Sequence, residues 1–233
     1  MDDILYSNMS KQNPVRLINS KFDASLIFDP IRVRHADIVI AVAKLLKGSD
    51  QDKLPFLNSL FHSYYCWLPD YFFITPASST GKYHPEFANK SNGLMLHSLA
   101  VSRYTAMMCN FIKDLETHVY NTLICAAWLH DMFKYGDPTI YKPGVFVDHG
   151  HAKYAADFFN NPDIIQDCNK LGLLSDDIVL LSHVIATHMG PFTTSKYSDI
   201  VLSEPETPLQ KLIYTADYFA SRKENDIIRD LIT

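Results

Sequence analysis

The feature that most limits how this chain can fold is a polar pair at the end of an apolar run. Ala126-Ala127-Trp128-Leu129 is followed at once by His130-Asp131 and then Met132-Phe133-Lys134. Such a run belongs in a core helix, and an unpaired carboxylate carried into a core costs several kcal/mol. Asp131 therefore either meets a cation or a dense set of donors, or it lies beyond the last core turn and faces solvent. Two further helical stretches carry ligand-type side chains inside apolar faces. His97 shares a face with Leu94, Val101 and Tyr104, and Asp217 shares one with Ile213 and Ala220. Taken singly, His97 fits a core histidine with one satisfied ring nitrogen, and Asp217 fits a helix-to-helix hydrogen bond. Taken together, two imidazoles and two carboxylates on three helices suit one of the divalent ions Mn, Fe, Co, Ni, Zn or Mg.

Around these residues the periodicity is helical throughout. Apolar spacing and breaker residues predict helices over 36–47, 52–67, 92–115, 118–135, 150–159, 163–170, 175–188 and 207–230. The stretch 75–92, rich in Ser, Thr, Gly, Pro and Asn, reads as a long loop of the kind that often carries function. Residues 139–147, with Pro143-Gly144 at their middle, read as a short hairpin or an ordered loop. Residues 1–35 lack a sustained period and read as an irregular arm, leaving 36–233 as one all-α domain.

Composition narrows the function. Hydrophobic residues at 47% and charged residues at 20% describe a chain that buries a core. With 26 acidic against 21 basic residues, a net charge of -5 and no basic stretch, a long nucleic acid is excluded as the expected partner. A small phosphorylated substrate is not, because a bound divalent cation supplies positive charge locally. No apolar run is long enough to span a membrane and no leader pattern follows Met1, so a cytoplasmic location without membrane contact is expected. Cys66, Cys109, Cys125 and Cys168 form no CxxC pair and are expected as reduced thiols.

The order His97, His130-Asp131, Asp217 resembles that of the HD-domain phosphohydrolase superfamily, an all-helical fold named for its adjacent His-Asp ligands. The resemblance covers about residues 75–222. More locally, Pro76-Ala77-Ser78, Lys82-Tyr83-His84 and Gly93-Leu94-Met95-Leu96-His97-Ser98 are similar to a bacterial and phage branch of that superfamily. Asn92 and Leu96 depart from its pattern, and the spacer before them is a few residues longer. Gly150-His151-Ala152-Lys153 and Thr187-His188-Met189-Gly190 resemble two further segments of the branch.

The resemblance implies an HD-domain-like helical bundle with His97, His130, Asp131 and Asp217 as the core metal ligands. It also implies His151 and His188 as ligands of a second ion; read without it, they are histidines at helix ends. His149 and His183 are alternatives, and His183 is expected to be structural. Lys134 is placed near the site, either to bind a phosphate oxygen or to offset a helix dipole, with Lys82 and Lys153 as weaker candidates. Asp131 and Lys134 are thus the expected catalytic pair, with one or two divalent metal ions as cofactor. The implied reaction is release of phosphate from (deoxy)nucleoside 5′-monophosphates by a metal-bound hydroxide. Cyclic-nucleotide phosphodiesterase or triphosphohydrolase activity is the alternative, and a non-catalytic nucleotide-binding regulator the alternative from another class. Tyr83, Phe87, Tyr141 and Phe146 are expected in the core rather than stacked on a base.

Overall fold

Every residue from Tyr120 to Leu129 is buried, so the helix that carries them has no solvent face and has to be surrounded. In the computed structural model of the chain, which describes residues 30–224, it is the fifth of nine α-helices. In chain order these are α1 (Pro30–Ala43), α2 (Asp50–His62), α3 (Asp70–Ile74), α4 (Gly93–Cys109) and α5 (Thr117–Leu129). They continue as α6 (His151–Asn160), α7 (Pro162–Leu171), α8 (Ser175–Ala186) and α9 (Pro208–Ala220). No strand occurs among the described residues, where the one pairing of that type is an isolated bridge between Ser195 and Ser198. The fold is all-α, as the periodicity predicts.

Around α5 lie α4 on one side and α8 on another, with α6 against α8 and both α9 and α1 against α4. One apolar core joins them, with Phe72, Leu94, Leu123, Trp128, Phe159 and Ile213 buried in it. Local chemistry fixes the helix starts. Ser49 with Asp52 and Thr207 with Gln210 form capping boxes for α2 and α9, and Pro208 occupies a first turn, where its missing N–H costs nothing. Asp177 accepts the Leu174 N–H at 3.2 Å and the Thr122 hydroxyl at 3.0 Å, tying the first turn of α8 to α5.

Several boundaries differ from the sequence expectation. The helix expected over 118–135 stops at Leu129. Beyond it Met132 N–H bonds to Leu129 C=O at 3.0 Å, Lys134 to Asp131 at 2.9 Å and Gly136 to Phe133 at 2.8 Å, winding the chain through tight three-residue turns. Segment 139–147 is a loop and not a hairpin, since no strand pairing forms in it. Helix α1 starts at Pro30 rather than at 36, and residues 1–29 of the expected arm lie outside the described residues. Helix α9 ends at Ala220, with 225–230 of the expected span also outside them.

The loop before α4 is pinned rather than loose. Ala77 N–H bonds to Ala88 C=O at 2.8 Å, Leu94 N–H to Thr75 C=O at 2.9 Å, and the Tyr135 hydroxyl donates to Pro76 C=O at 2.7 Å. Where loop meets helix only glycine fits, because a Cβ on Gly93 would stand 2.2 Å from the Ala88 carbonyl oxygen.

Candidate metal centre

The tight turns after α5 carry His130 and Asp131 inward instead of out to solvent, and both are fully buried. His97 reaches the same place from the second turn of α4, His151 from the first turn of α6, His188 from just past the end of α8, and Asp217 from α9. The six side chains expected as ligands thus lie in one cluster, and Asp131 is its pivot.

Each oxygen of Asp131 faces a different group. Oδ1 is 3.1 Å from His151 Nε2 and 3.3 Å from His188 Nε2, which stand 3.1 Å from each other. Oδ2 is 3.3 Å from His130 Nε2 and 3.6 Å from His97 Nε2. Asp217 completes this second group, its Oδ1 lying 3.0 Å from His97 Nε2 and 3.8 Å from His130 Nε2. Ligand atoms about 2.0–2.2 Å from one ion, in tetrahedral or octahedral array, stand roughly 3–3.5 Å apart. The observed spacings match, and the group atoms of His97, His130 and Asp131, and of Asp131, His151 and His188, lie within 4.8 Å of one another.

Hydrogen bonding decides which atoms face inward. The Nδ1 of His130 is 2.8 Å from Ala127 O, that of His188 is 2.8 Å from Ile185 O, and that of His151 contacts Asp148 O. A carbonyl oxygen can only accept, so each Nδ1 carries a proton and, in a neutral ring, Nε2 presents a bare lone pair to the cluster. His151 Nε2, His188 Nε2 and Asp131 Oδ1 then face one another as three acceptors with no proton of their own to share, and Oδ1 takes one from the Lys134 ammonium at 3.0 Å. The Nδ1 of His97 is likewise buried without a hydrogen-bond partner among the described residues, and His130 Nε2 faces the Asp131 and Asp217 carboxylates at 3.3 and 3.8 Å. Such an arrangement is costly unless a cation sits among the lone pairs.

The electrostatics agree. Burial opposes charge on Asp131, yet His130, Lys134 and His151 outweigh it and hold the carboxyl well below the usual range. Burial likewise opposes Asp217, and the hydrogen-bonding and charge of His97 and His130 bring it down. Burial and the nearby Lys134 push the His151 imidazole down to about 4, so it is neutral near pH 7. Burial also lowers His97, whereas at His130 the Asp131 charge overcomes burial and raises the imidazole. Without a metal the cluster draws positive charge from His130 and from Lys134, whose Nζ lies 2.8 and 3.0 Å from the two Asp131 oxygens.

Lys134 reaches Asp131 because residues three apart eclipse in tight turns, and not through the regular helix expected there. The other expected cations stay outside. Lys153 pairs with Asp157, and Lys82 lies 4.9 Å over the exposed Tyr83 ring. His149 faces Thr193 O at 3.2 Å and His183 is exposed on α8. Tyr141 packs against Tyr71 and Tyr135, while Tyr83 and Phe146, expected in the core, are exposed. The site gains one residue not expected as part of it: the His84 ring lies edge-on to His97 at 5.1 Å between centroids. Burial, then His97 and Lys134, push the His84 imidazole down to about 3. The Lys82-Tyr83-His84 segment is the sequence signal that points to it.

Compared with models of protein families, with curated proteins and with solved structures, the chain matches none. The helical fold and its buried His/Asp cluster are compatible with an HD-type metal site.

Proposed function

We propose that the chain is a metal-dependent phosphohydrolase of the HD-domain type, acting on a small phosphorylated substrate, with a (deoxy)nucleoside 5′-monophosphate as the leading candidate. One observation carries this reading: Asp131 turns one carboxylate oxygen toward each of two sets of inward-facing imidazole nitrogens. His97, His130, Asp131 and Asp217 would hold one divalent ion, and His151 and His188, with the other oxygen of Asp131, a second. Ions so bound would lower the pKa of a water and neutralise charge developing on a phosphoryl group.

The chain's own residues supply the rest. Asp131, held ionised, sets the spacing between the two positions. The backbone carbonyls of Ala127, Ile185 and Asp148 fix the ring orientations. Lys134 would exchange its contact with Asp131 for a phosphate oxygen of the substrate, binding it as a point charge. A reaction run on buried ligands inside an acidic chain suits a small substrate better than a polymer.

The test is a screen of purified protein, reconstituted separately with Mn, Fe, Co, Ni, Zn and Mg, against nucleoside mono-, tri- and cyclic phosphates. Phosphate release from monophosphates that a chelator abolishes is the expected result. Tight nucleotide binding without turnover under every metal would instead favour a regulator that keeps the fold for recognition.

A further inference from the structure

Two chain segments meet beside Asp217. Ser221 Oγ lies 3.3 Å from Asp217 Oδ1 and 3.4 Å from His84 Nε2, and His84 in turn packs on His97. The next residue outward on each segment is Arg222 on one side and Tyr83 on the other. They touch: the Arg222 guanidinium lies 5.8 Å from the Tyr83 ring centroid and 4.1 Å from that of Tyr218. Lys82 Nζ stands 4.9 Å over the same Tyr83 ring. Two cations and two tyrosines therefore line the chain just outside the candidate metal ligands.

Arg222 is unusual in what it lacks. Among the described residues its Nε, sealed from solvent, has no hydrogen-bond partner, and no carboxylate pairs with its guanidinium. Stacking on Tyr218 holds the plane of the fork but satisfies none of its N–H groups. A guanidinium held over an aromatic face, with no carboxylate on it among the described residues, matches the two oxygens of a phosphate or phosphodiester in a bidentate contact. Lys82, exposed and without an ion pair among the described residues, adds a second positive charge on the same rim.

We propose that Arg222, assisted by Lys82, forms an anion subsite at the rim of the metal centre that recognises a second phosphate of the substrate, one not being hydrolysed. This rests on the phosphohydrolase reading and sharpens it: the preferred substrate class is a nucleotide bearing two separate phosphoryl groups. The shared chemistry, a phosphate monoanion or dianion beyond the scissile one, belongs equally to a nucleoside 3′,5′-bisphosphate and to a dinucleotide. The tyrosines fix the fork, and Tyr83 leaves an exposed face beside it.

Calorimetry on the full chain without added metal tests the subsite apart from turnover, using adenosine 3′,5′-bisphosphate, the dinucleotide pApA and adenosine 5′-monophosphate as probes. The wild type is expected to bind at least one two-phosphate probe more tightly than the monophosphate, and which one identifies the source of the second phosphate. Loss of a charge-assisted bidentate contact lowers affinity by about ten- to hundredfold. Arg222→Met keeps the apolar stem on Tyr218 and is expected to lose that factor on the preferred probe while leaving the monophosphate within about twofold. Arg222→Lys, which keeps the charge but not the fork, is expected to recover only part of it. Metal-loaded kinetics should place the Arg222→Met effect in KM for the two-phosphate probe, with p-nitrophenyl phosphate unaffected. Equal binding of all three probes by the wild type, or an equal loss on all three in Arg222→Met, overturns the subsite. Binding that follows the expected pattern without hydrolysis of any probe overturns the phosphohydrolase reading and leaves the subsite standing.

Discussion

Replacing Asp131 by Asn keeps the shape of the side chain and removes the one charge on which both candidate ion positions depend. Five neighbours are affected at once: Lys134 at 2.8 Å and the histidines 151, 188, 130 and 97 at 3.1 to 3.6 Å. An amide presents a donor on one side and a weaker acceptor on the other, so one position loses its oxygen ligand and the other keeps a poor one. Metal content is expected to fall from about two ions to below one, and hydrolysis by at least about a thousandfold, roughly 4 kcal/mol of transition-state stabilisation. Stability without metal should fall too, because Asp131 is fully buried and the Lys134 side chain is only 9% exposed. Removing one partner of a buried pair costs about 3–5 kcal/mol; the lower end applies where Lys134 can reorient, giving a melting point lower by about 6–12 °C. The double variant Asp131→Asn/Lys134→Met leaves no uncompensated ammonium, so it should regain most of the lost stability while its metal content stays low. Elemental analysis, thermal denaturation followed by circular dichroism, and phosphate release measure the three effects separately. An Asp131→Asn protein that holds two ions and turns over normally would refute the bridging role, and with it the hydrolytic mechanism.

Three other outcomes are expected. His151→Ala and His188→Ala should each lower metal content from about two toward one with the helical signal intact, which titration with Mn or Co followed by elemental analysis checks. Lys134→Ala should raise KM more than it lowers kcat, because the proposed phosphate contact would be made in ground and transition states alike; steady-state kinetics on nucleoside monophosphates separates the two. Gly93→Ala would drive a Cβ to 2.2 Å from the Ala88 carbonyl oxygen, so the start of α4 must shift. A loss of about 2–4 kcal/mol by denaturant titration is expected, with weakened metal binding because His97 rides on the same helix.

Much of the fold was legible because residues 123–129 form an unbroken apolar run in α5, and a helix buried all round leaves only an all-helical or mixed surround to choose from. The candidate ligands were legible for a related reason: His97 and Asp217 interrupt apolar faces at helical spacing, and His130-Asp131 ends the most apolar run. What escaped is everything that depends on where a helix stops. Regular helical spacing extended α5 to residue 135, which would have set Lys134 on the His130 side of a cylinder. The observed three-residue turns set it over Asp131 instead, at 2.8 Å. Helix propensity could not distinguish these, since Met132, Phe133 and Lys134 tolerate both geometries, and the choice falls to tertiary contacts such as the Tyr71 hydroxyl on Gly136 C=O at 2.8 Å.

The position of His84 escaped for the opposite reason, that nothing periodic marks a loop residue. Its approach to His97 comes from backbone closure of the 75–92 loop and from Asn89, whose side-chain amide donates to His84 C=O at 2.8 Å. The same closure sets Tyr83 against Arg222, a residue 139 positions along the chain that is unremarkable in sequence at the end of an apolar helix. A ligand set buried at several points of one core leaves periodic traces on each helix, because every member must interrupt an apolar face. A rim built from loop and helix-end residues leaves none, since solvent exposure makes their polarity ordinary. His97, His130, Asp131 and Asp217 could therefore be anticipated from the apolar patterns they interrupt, and His151 and His188 from the resemblance alone, whereas the residues that would choose the substrate emerge only once the loop is closed over α9.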